Sequence, residues 1–246
     1  MAAIGIIGSK GRMGQALVDA IEEARQTFAG GVDKGDDVGA LIEQADALVD
    51  FSAPAALFDT LDHCVRLGKA SIIGTTGLEE RHFTVIYEAA KQIPVLQTGN
   101  TSLGVNMLAA LVREAAARLG DDWDIEIVEM HHRHKVDAPS GTALFLGEAA
   151  AAGRGIDLAS SSERGRVGHT GARAKGSIGF ASLRGGSVAG DHQVIFASDE
   201  ERIELGHRAE NRMIFARGAV KAALWLKDQP AGRYTMGDML GLTSGS

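Results

Sequence analysis

The sequence predicts an α/β fold: a doubly wound parallel sheet in the first part of the chain, followed by an α+β part with an open mixed sheet. Three observations support this prediction. In the first hundred residues, short apolar segments alternate with helical patterns, as in parallel strands joined by right-handed crossovers. A glycine-rich turn directly follows the first apolar segment. Beyond residue 176, three strand patterns follow one another without a helix, which favours a mixed or antiparallel sheet.

In the first part of the chain, we predict five strands and three helices from the spacing of apolar residues. The predicted strands are Ala3–Ile7, Phe28–Asp33, Ala47–Phe51, Ser71–Gly74 and Val95–Thr98. The predicted helices are Met13–Ala24, Ala55–Leu67 and Glu79–Lys91. The connection from Lys34 to Gln44 is barely long enough for a helix, so we expect an abbreviated loop there.

The second part begins after Asn100, where the pattern changes. The predicted elements are a helix at Val105–Leu119, a strand at Asp124–Glu129, a helix at Gly141–Ala152 capped by Ser140, a long polar loop at 151–175, strands at Ser177–Leu183, Ser187–Ala197 and Arg202–His207, and a closing helix at Arg212–Leu226. We predict two domains, one formed by 1–102 and 212–246 and the other by 103–211.

Composition excludes several classes of protein. The formal net charge is −7, which disfavours a non-specific nucleic-acid binder, because such proteins need a positive surface. The only cysteine is Cys64, so neither an intrachain disulfide nor a cysteine-rich metal cluster is possible. No apolar segment approaches the ~18 residues of a membrane helix, and the N-terminus lacks the features of a signal peptide. We expect a soluble cytoplasmic protein.

The turn after the first strand has the spacing G-x-x-G-x-x-G, with glycines at positions 8, 11 and 14. Such glycines allow a sharp turn, a close approach of the backbone to a pyrophosphate and tight packing of helix on strand. The turn lies between a strand and a helix, the context that a Rossmann-like dinucleotide site requires. A phosphate-binding P-loop is excluded because no Gly-Lys-Ser/Thr follows.

Other polar residues at predicted strand ends extend this site. Asp33 ends the second strand, where an acid can accept the ribose hydroxyls of NAD. Lys34 follows it and could pair with the 2′-phosphate of NADP, so the two residues together suggest tolerance of both cofactors. Residues 74–77 and 99–101 follow the fourth and fifth strands, and could hold the nicotinamide end.

The segment from Glu129 to Thr142 carries three histidines, one arginine and one lysine within five positions, from His131 to Lys135. Between residues 131 and 176 the chain has seven Lys or Arg against four Asp or Glu, a basic island on an acidic protein. Ser140, Gly141 and Thr142 at a predicted helix start suit a carboxylate. A small-anion site with a histidine acid/base explains this better than a zinc site, because adjacent histidines on an extended chain point in opposite directions.

These segments resemble the 4-hydroxy-tetrahydrodipicolinate reductase (dihydrodipicolinate reductase) family along essentially the whole chain. The matching segments are IGIIGSKGRMG, VDFS, IIGTTG, NTSLGVN, EMHHRHKVDAPSGTA, GHTG, IGFASLRGG, VAGDH and RMIFARGAVKAALWL. The resemblance implies an oxidoreductase of the diaminopimelate route to lysine. NADH or NADPH would reduce a small cyclic imine dicarboxylate, the hydroxylated ring losing water and gaining hydride at C4.

The resemblance also assigns roles to individual residues. His131 would be the catalytic acid/base and Lys135 a proton donor. The residues that would bind substrate are His132, Ser140, Gly141, Thr142 and Arg212. Those that would bind the cofactor are Gly8, Ser9, Lys10, Gly11, Arg12, Met13, Asp33, Lys34, Gly74, Thr75, Thr76, Thr98, Gly99, Asn100 and Thr101. No metal ion is expected.

A homotetramer formed through the sheet of the second domain is also implied. Independent support comes from residues 194–197, four consecutive apolar residues that place apolar side chains on both faces of one strand. Only two predicted helices are available in this domain to cover them, enough for one face.

Two other functions stay open: an NAD(P)-dependent dehydrogenase of another small dicarboxylate, such as an aspartate dehydrogenase, and a non-catalytic dinucleotide sensor.

Overall fold

The computed structural model describes residues 1–242, which divide into two compact units. The first consists of Met1–Leu103 and the chain from Arg212 onward, and the second of Gly104–Asn211. Residues 243–246, which the sequence analysis assigns to the first domain, lie outside the described residues. Of the helices in the described chain, none is long and apolar enough to cross a membrane.

The strands of the described chain are β1 (Ala3–Ile7), β2 (Thr27–Val32), β3 (Ala47–Asp50), β4 (Ala70–Ile73), β5 (Pro94–Gln97), β6 (Asp124–His131), β7 (Ser162–Glu163), β8 (Ile178–Arg184), β9 (Gly190–Ala197), β10 (Arg202–Ala209) and β11 (Gly232–Tyr234). Its helices are α1 (Arg12–Glu23), α2 (Val38–Gln44), α3 (Leu57–Leu67), α4 (Glu80–Ala90), α5 (Leu103–Leu119), α6 (Gly141–Arg154), α7 (Leu158–Ser161), α8 (Met213–Leu226) and α9 (Met236–Leu240).

The first unit contains a six-stranded, all-parallel sheet of order β2-β1-β3-β4-β5-β11. Every residue of β3 and β4 is buried, as expected of central strands covered by helices on both faces. Helices α1 and α8 pack on one face, where Ile6 and Leu17 join the core. Helices α2, α3 and α4 pack on the other, with Leu48 and Leu61 in the core. This is the predicted doubly wound architecture.

The second unit contains a five-stranded mixed sheet of order β10-β9-β6-β8-β7. Strand β6 pairs in parallel with β8 and antiparallel with β9, which confirms the predicted mixed sheet. Buried and half-buried residues alternate strictly along β6 and β9, so each strand has one face in the core. Helices α5 and α6 contribute Val112 and Leu146 to this core, against Ile127 and Phe196 of the sheet.

Three sequence predictions about the elements are wrong. The connection after Asp33 is not an abbreviated loop but contains α2, whose N-terminus is capped by the Asp37 carboxylate. The loop expected at 151–175 begins later, because α6 continues to Arg154, and it includes α7 and β7. The C-terminal elements β11 and α9 are missing from the prediction, since three- and five-residue elements give too little periodicity.

Candidate active site

The carboxyl ends of the parallel strands meet at one edge of the first unit's sheet, and all residues predicted to bind a cofactor lie there. They follow β1 (Gly8, Ser9, Lys10, Gly11, then Arg12 and Met13 at the start of α1), β2 (Asp33, Lys34), β4 (Gly74, Thr75, Thr76) and β5 (Thr98, Gly99, Asn100, Thr101). The strand order reverses direction between β1 and β3, and doubly wound sheets bind ligands at such a point.

The glycine-rich turn accepts no side chain at two of its glycines. Gly8 has a φ of 86°, and a Cβ on it would lie 2.7 Å from the carbonyl oxygen of Phe51. A Cβ on Gly14 would overlap the carbonyl oxygens of Gly8 and Ser9. The turn therefore passes close to β3 and leads directly into α1, whose N-terminal partial positive charge suits a pyrophosphate.

Asp33 is held against the glycine-rich turn. Its Oδ2 accepts hydrogen bonds from the Ser9 hydroxyl at 2.8 Å and from the Lys10 amide at 3.1 Å. Its own amide donates to Asp36 Oδ2 at 2.9 Å, and the Lys10 ammonium lies 3.9 Å from the same oxygen. A carboxylate offers about four acceptor positions, so Asp33 keeps capacity for ribose hydroxyls.

A buried carboxylate, Asp50, joins the ends of β3 and β4. Its Oδ1 accepts hydrogen bonds from the Ser52 hydroxyl at 2.6 Å and from the Thr75 hydroxyl at 2.8 Å. Burial raises the pKa of Asp50, and the hydrogen bonds from Ser52 and Thr75 offset this only in part. Next to Thr75, a Cβ on Gly74 would overlap the Phe51 ring. The predicted nicotinamide segment is thus fixed from within the core.

The loop after β5 is held by α8. The Thr101 hydroxyl donates to the carbonyl oxygen of Phe215 at 2.7 Å. Gly218, one turn further along α8, leaves space for the Thr101 carbonyl, which a Cβ at that position would overlap. Within the loop, the Thr98 hydroxyl donates to the carbonyl oxygen of Asn100 at 2.9 Å. A helix from the far end of the sequence therefore shapes this strand end.

In the second unit, the predicted catalytic His131 ends β6 and is buried, with its ring bound to Glu129. The His131 Nδ1 lies 2.6 Å from Glu129 Oε2. Arg184 on β8 donates to both carboxylate oxygens of Glu129 at 2.8 Å, and the Ser140 amide donates to Oε1 at 3.2 Å. Burial alone would raise the pKa of Glu129, but hydrogen bonds from Arg184, His131 and Ser182 lower it to about 2.

A second buried histidine, His192 on β9, faces His131 edge to face with ring centroids 5.0 Å apart. Burial, reinforced by the neighbouring His131, lowers the pKa of His192 to about 4, so the ring is neutral at pH 7. Its Nε2 lies 3.0 Å from the Ser140 hydroxyl, which accepts the Ala143 amide as the N-cap of α6. Ser140, predicted to bind substrate, therefore uses its hydroxyl to fix the start of this helix.

The loop between β6 and α6 carries the other predicted substrate residues. The Lys135 ammonium is 2.8 Å from Asp137 Oδ1, and this hydrogen bond lowers the pKa of Asp137. His132 follows β6 directly, and its ring lies 6.3 Å from that of His134. Gly141 and Thr142 form the first turn of α6. The position of a Gly141 Cβ has no atom within 4 Å, so this helix end is open to a ligand.

One part of the sequence interpretation is wrong: the cations between residues 131 and 176 do not form one basic island. Arg166 and Arg173 are both bound to Glu126, with hydrogen bonds of 2.9 to 3.2 Å. Glu126 is three residues before Glu129 on β6, so its side chain lies on the opposite face of the sheet. These arginines anchor the loop before β8 and are not available to an anion beside His131.

Arg212 is exposed at the N-cap of α8 and belongs to the first unit, whereas the other predicted substrate residues belong to the second. Within residues 1–242, no group of three or more His, Cys, Asp or Glu residues could hold a metal ion.

Sequence reasoning missed Asp50, Glu129, Arg184 and His192 as parts of the site. Two of them could have been found from the alternation of apolar and polar residues in the sequence. Glu129 is in phase with the core residues of β6, and His192 is in phase with Val194 on β9, so period-two alternation predicts both to be buried. A charged or titratable residue at a core position needs a partner, and a functional site commonly supplies it.

We predict that His192 makes the free energy of unfolding fall as the pH decreases from 6.5 to 4. In this range the unfolded chain, with an ordinary histidine pKa near 6.5, binds a proton that the folded chain excludes. Substituting His192→Gln should therefore reduce the stability lost between pH 7 and pH 4.5 by roughly 2–3 kcal/mol. Urea unfolding at both pH values measures this, with the exposed-site variant His134→Gln as control. Equal losses in His192→Gln and the native chain would contradict the assignment.

The family models and the curated relatives that match this chain indicate the same family. The family model for the N-terminus of dihydrodipicolinate reductase matches residues 2–101, and the model for its C-terminus matches residues 104–240. The 4-hydroxy-tetrahydrodipicolinate reductase of Zymomonas mobilis is 59% identical over 97% of each chain. That of Rhodopseudomonas palustris strain BisB18 is 52% identical, also over 97% of each chain.

A solved structure shows the same fold. The dipicolinate-bound dihydrodipicolinate reductase from Paenisporosarcina sp. TG-14 superimposes with a TM-score of 0.76 at 22% identity, and the match covers 96% of this chain and 97% of that one. The resemblance stated from the sequence motifs is confirmed. The chain belongs to the dihydrodipicolinate reductase family.

Proposed function

We propose that this protein reduces 4-hydroxy-tetrahydrodipicolinate to tetrahydrodipicolinate with NADH or NADPH, in the diaminopimelate route of lysine biosynthesis. The observation that carries the proposal is the buried pair of His131 and Glu129 beside the open N-terminus of α6. An acid/base group next to a helix end that suits carboxylates fits a reaction on a dicarboxylate. We place the enzyme in the cytoplasm, where reduced nicotinamide cofactors are available.

The first unit fits a nicotinamide dinucleotide. Gly8 and Gly14 form a turn that a side chain would obstruct, and Asp33 keeps acceptor capacity beside it. Thr75 and the loop at 98–101 lie at the same edge of the sheet, where they would hold the nicotinamide end. When bound, the reduced cofactor supplies a hydride, and the glycine-rich turn would fix its pyrophosphate.

The second unit supplies the groups that bind and protonate the substrate. The α6 N-terminus, through Gly141 and Thr142, would hold one carboxylate, and His132 with Lys135 would hold the other. His131 and Lys135 would provide the protons that accompany loss of the hydroxyl group and reduction at C4. The partial positive charge of the helix end favours the doubly negative substrate.

Replacing His131 or Lys135 with Ala should lower kcat by roughly 10²–10⁴-fold, the range typical of general acid–base groups. Lys135→Ala should also raise the KM for substrate, because an anchoring cation is lost. The assay follows NADPH oxidation with the aldol product of pyruvate and aspartate semialdehyde. His134→Ala is the control, because His134 is exposed in the same segment. A His131→Ala enzyme with native kcat would exclude His131 as the acid/base.

We predict that the enzyme uses both NADH and NADPH, with a preference below the ~10²-fold that about 2.7 kcal/mol of selective contacts would give. Lys34→Ala should raise the KM for NADPH and leave that for NADH unchanged, because only NADPH carries a 2′-phosphate for this cation. Lys91→Ala is the matched control, since Lys91 directly follows α4 near the amino end of β5, at the opposite edge of the sheet. Equal effects of Lys34→Ala on both cofactors would show that Lys34 does not contact the 2′-phosphate.

We also propose a homotetramer formed through the sheet of the second unit. Helices α5 and α6 cover one face of this sheet. On the other face, Ile195 is only half-buried, Ala181 is exposed and Leu183 is 51% exposed. These exposed apolar residues lie beside the Glu126 ion pairs of the same face. Exposed apolar surface of this kind is typical of an interface, and closed symmetric assemblies are the usual result. Light scattering at micromolar concentration should give about four times the chain mass of 25.7 kDa. A mass near that of one chain would contradict the proposal.

A further inference from the structure

The side chain of Glu129 is only 1% exposed. Each of its two carboxylate oxygens accepts two hydrogen bonds. Oε2 accepts from His131 Nδ1 at 2.6 Å and from Arg184 Nη1 at 2.8 Å. Oε1 accepts from Arg184 Nη2 at 2.8 Å and from the Ser140 amide at 3.2 Å. One carboxylate therefore connects the last residue of β6, a residue of β8 and the N-cap of α6.

The ionised state of Glu129 determines which nitrogen of His131 carries its proton. The hydrogen bonds from Arg184 and His131 outweigh burial and lower the pKa of Glu129 to about 2. A carboxylate can only accept hydrogen bonds, so the His131 Nδ1 must be the donor. The atom left for chemistry is Nε2. Beside it lies Gly190 on β9, where a Cβ would be 3.0 Å from this nitrogen.

The same network extends to the lysine loop. Arg184 Nη2 also donates to the carbonyl oxygen of Asp137 at 2.6 Å, and the Asp137 carboxylate lies 2.8 Å from the Lys135 ammonium. From Glu129, one or two hydrogen bonds thus lead to His131, to the loop that carries Lys135, and to the start of α6. Each of these is a part of the proposed substrate site.

We propose that Glu129 is a positioning residue for the reaction, and that it fixes His131 in the tautomer with hydrogen on Nδ1. Together with Arg184, it also holds the loop of Lys135 and the N-terminus of α6 in place. Carboxylates that orient histidines through Nδ1 are common where the other ring nitrogen reacts or binds a metal. The inference rests on the proposed reductase function.

The test is the Glu129→Gln substitution, read by ¹⁵N NMR of the His131 imidazole in the free enzyme. The native enzyme should show hydrogen on Nδ1 of the neutral ring. An amide can donate as well as accept, so the variant should show a mixture of tautomers or the Nε2–H form. We expect kcat to fall roughly 10- to 100-fold, as when an orienting partner of a histidine is removed, while the KM for the cofactor stays unchanged.

Two further variants separate positioning from folding. Glu129→Asp keeps the charge and should retain the native tautomer, with kcat between those of the native enzyme and Glu129→Gln. The double variant Glu129→Gln/Arg184→Met removes both charges, so no uncompensated cation remains to prevent folding. The matched control is Glu126→Gln on the same strand, which loses ion pairs with Arg166 and Arg173 but faces away from His131. It should keep the native tautomer and kcat.

The possible outcomes are decisive. If folded Glu129→Gln and the double variant both keep hydrogen on Nδ1 and native kcat, the proposal is overturned. A loss of kcat without a change of tautomer also overturns it. The NMR measurement needs no substrate, so it tests the positioning of His131 even if the native enzyme fails to reduce 4-hydroxy-tetrahydrodipicolinate. That failure would instead reject the proposed function.

Discussion

A negative charge buried at Glu129 is the constraint on which the second unit's site depends. An ionised carboxylate removed from water is costly unless charged partners and hydrogen bonds compensate for it. Here Arg184, His131 and the Ser140 amide provide that compensation, and each must come from a different part of the chain. Satisfying one carboxylate therefore fixes the relative positions of β6, β8 and α6. The geometry of the proposed substrate site follows from this requirement.

The first unit uses a buried carboxylate differently. Asp50 receives hydrogen bonds from the hydroxyl groups of Ser52 and Thr75 and from the Ser52 amide, with no arginine among its partners in the described chain. Its pKa is consequently raised by burial, whereas that of Glu129 is lowered. Hydroxyl donors fix the strand ends without adding a positive charge. A cation is needed at Glu129, where the carboxylate must stay ionised to accept the hydrogen bond from His131 Nδ1.

Much of the fold could be predicted because its signals are local. Apolar spacing predicts β1 and α3 to within a few residues, and Ser140 is recognisable as a cap before α6. That the residues predicted to bind a cofactor lie together could be predicted as well, since the carboxyl ends of parallel strands lie at one side of the sheet. Some of the elements and residues that were missed depend on long-range pairing. Strand β11 forms by pairing with β5, and Arg184 binds Glu129 although 55 positions of sequence separate the two residues.

Charge counts along the sequence failed for a related reason. They do not distinguish the two faces of a strand, so Arg166 and Arg173 were grouped with Lys135 although they bind Glu126 on the opposite face. Glu126 and Glu129 are both glutamates that pair with arginine, Glu126 with Arg166 and Arg173 and Glu129 with Arg184. They differ in the face of β6 on which they lie. Glu126 anchors a loop on one face, and Glu129 is proposed to orient a histidine on the other. The alternation along β6 was available in the sequence and places Glu129 in phase with Ile125 and Ile127, but charge counts take no account of it.

The core face of the second sheet explains why the site lies where it does. Along β6 this face is apolar at Ile125 and Ile127 and then polar at Glu129 and His131. The neighbouring strands make the same change in register: Phe180 precedes Ser182 and Arg184 on β8, and Val194 lies next to His192 on β9. The change occurs near the N-terminus of α6, where the Ser140 amide donates to Glu129. Side chains beyond that point need polar partners but stay partly shielded from water, and shielding strengthens their mutual hydrogen bonds. The proposed site is thus a continuation of the hydrophobic core, in which the same alternation that buries isoleucine places a histidine beside its carboxylate.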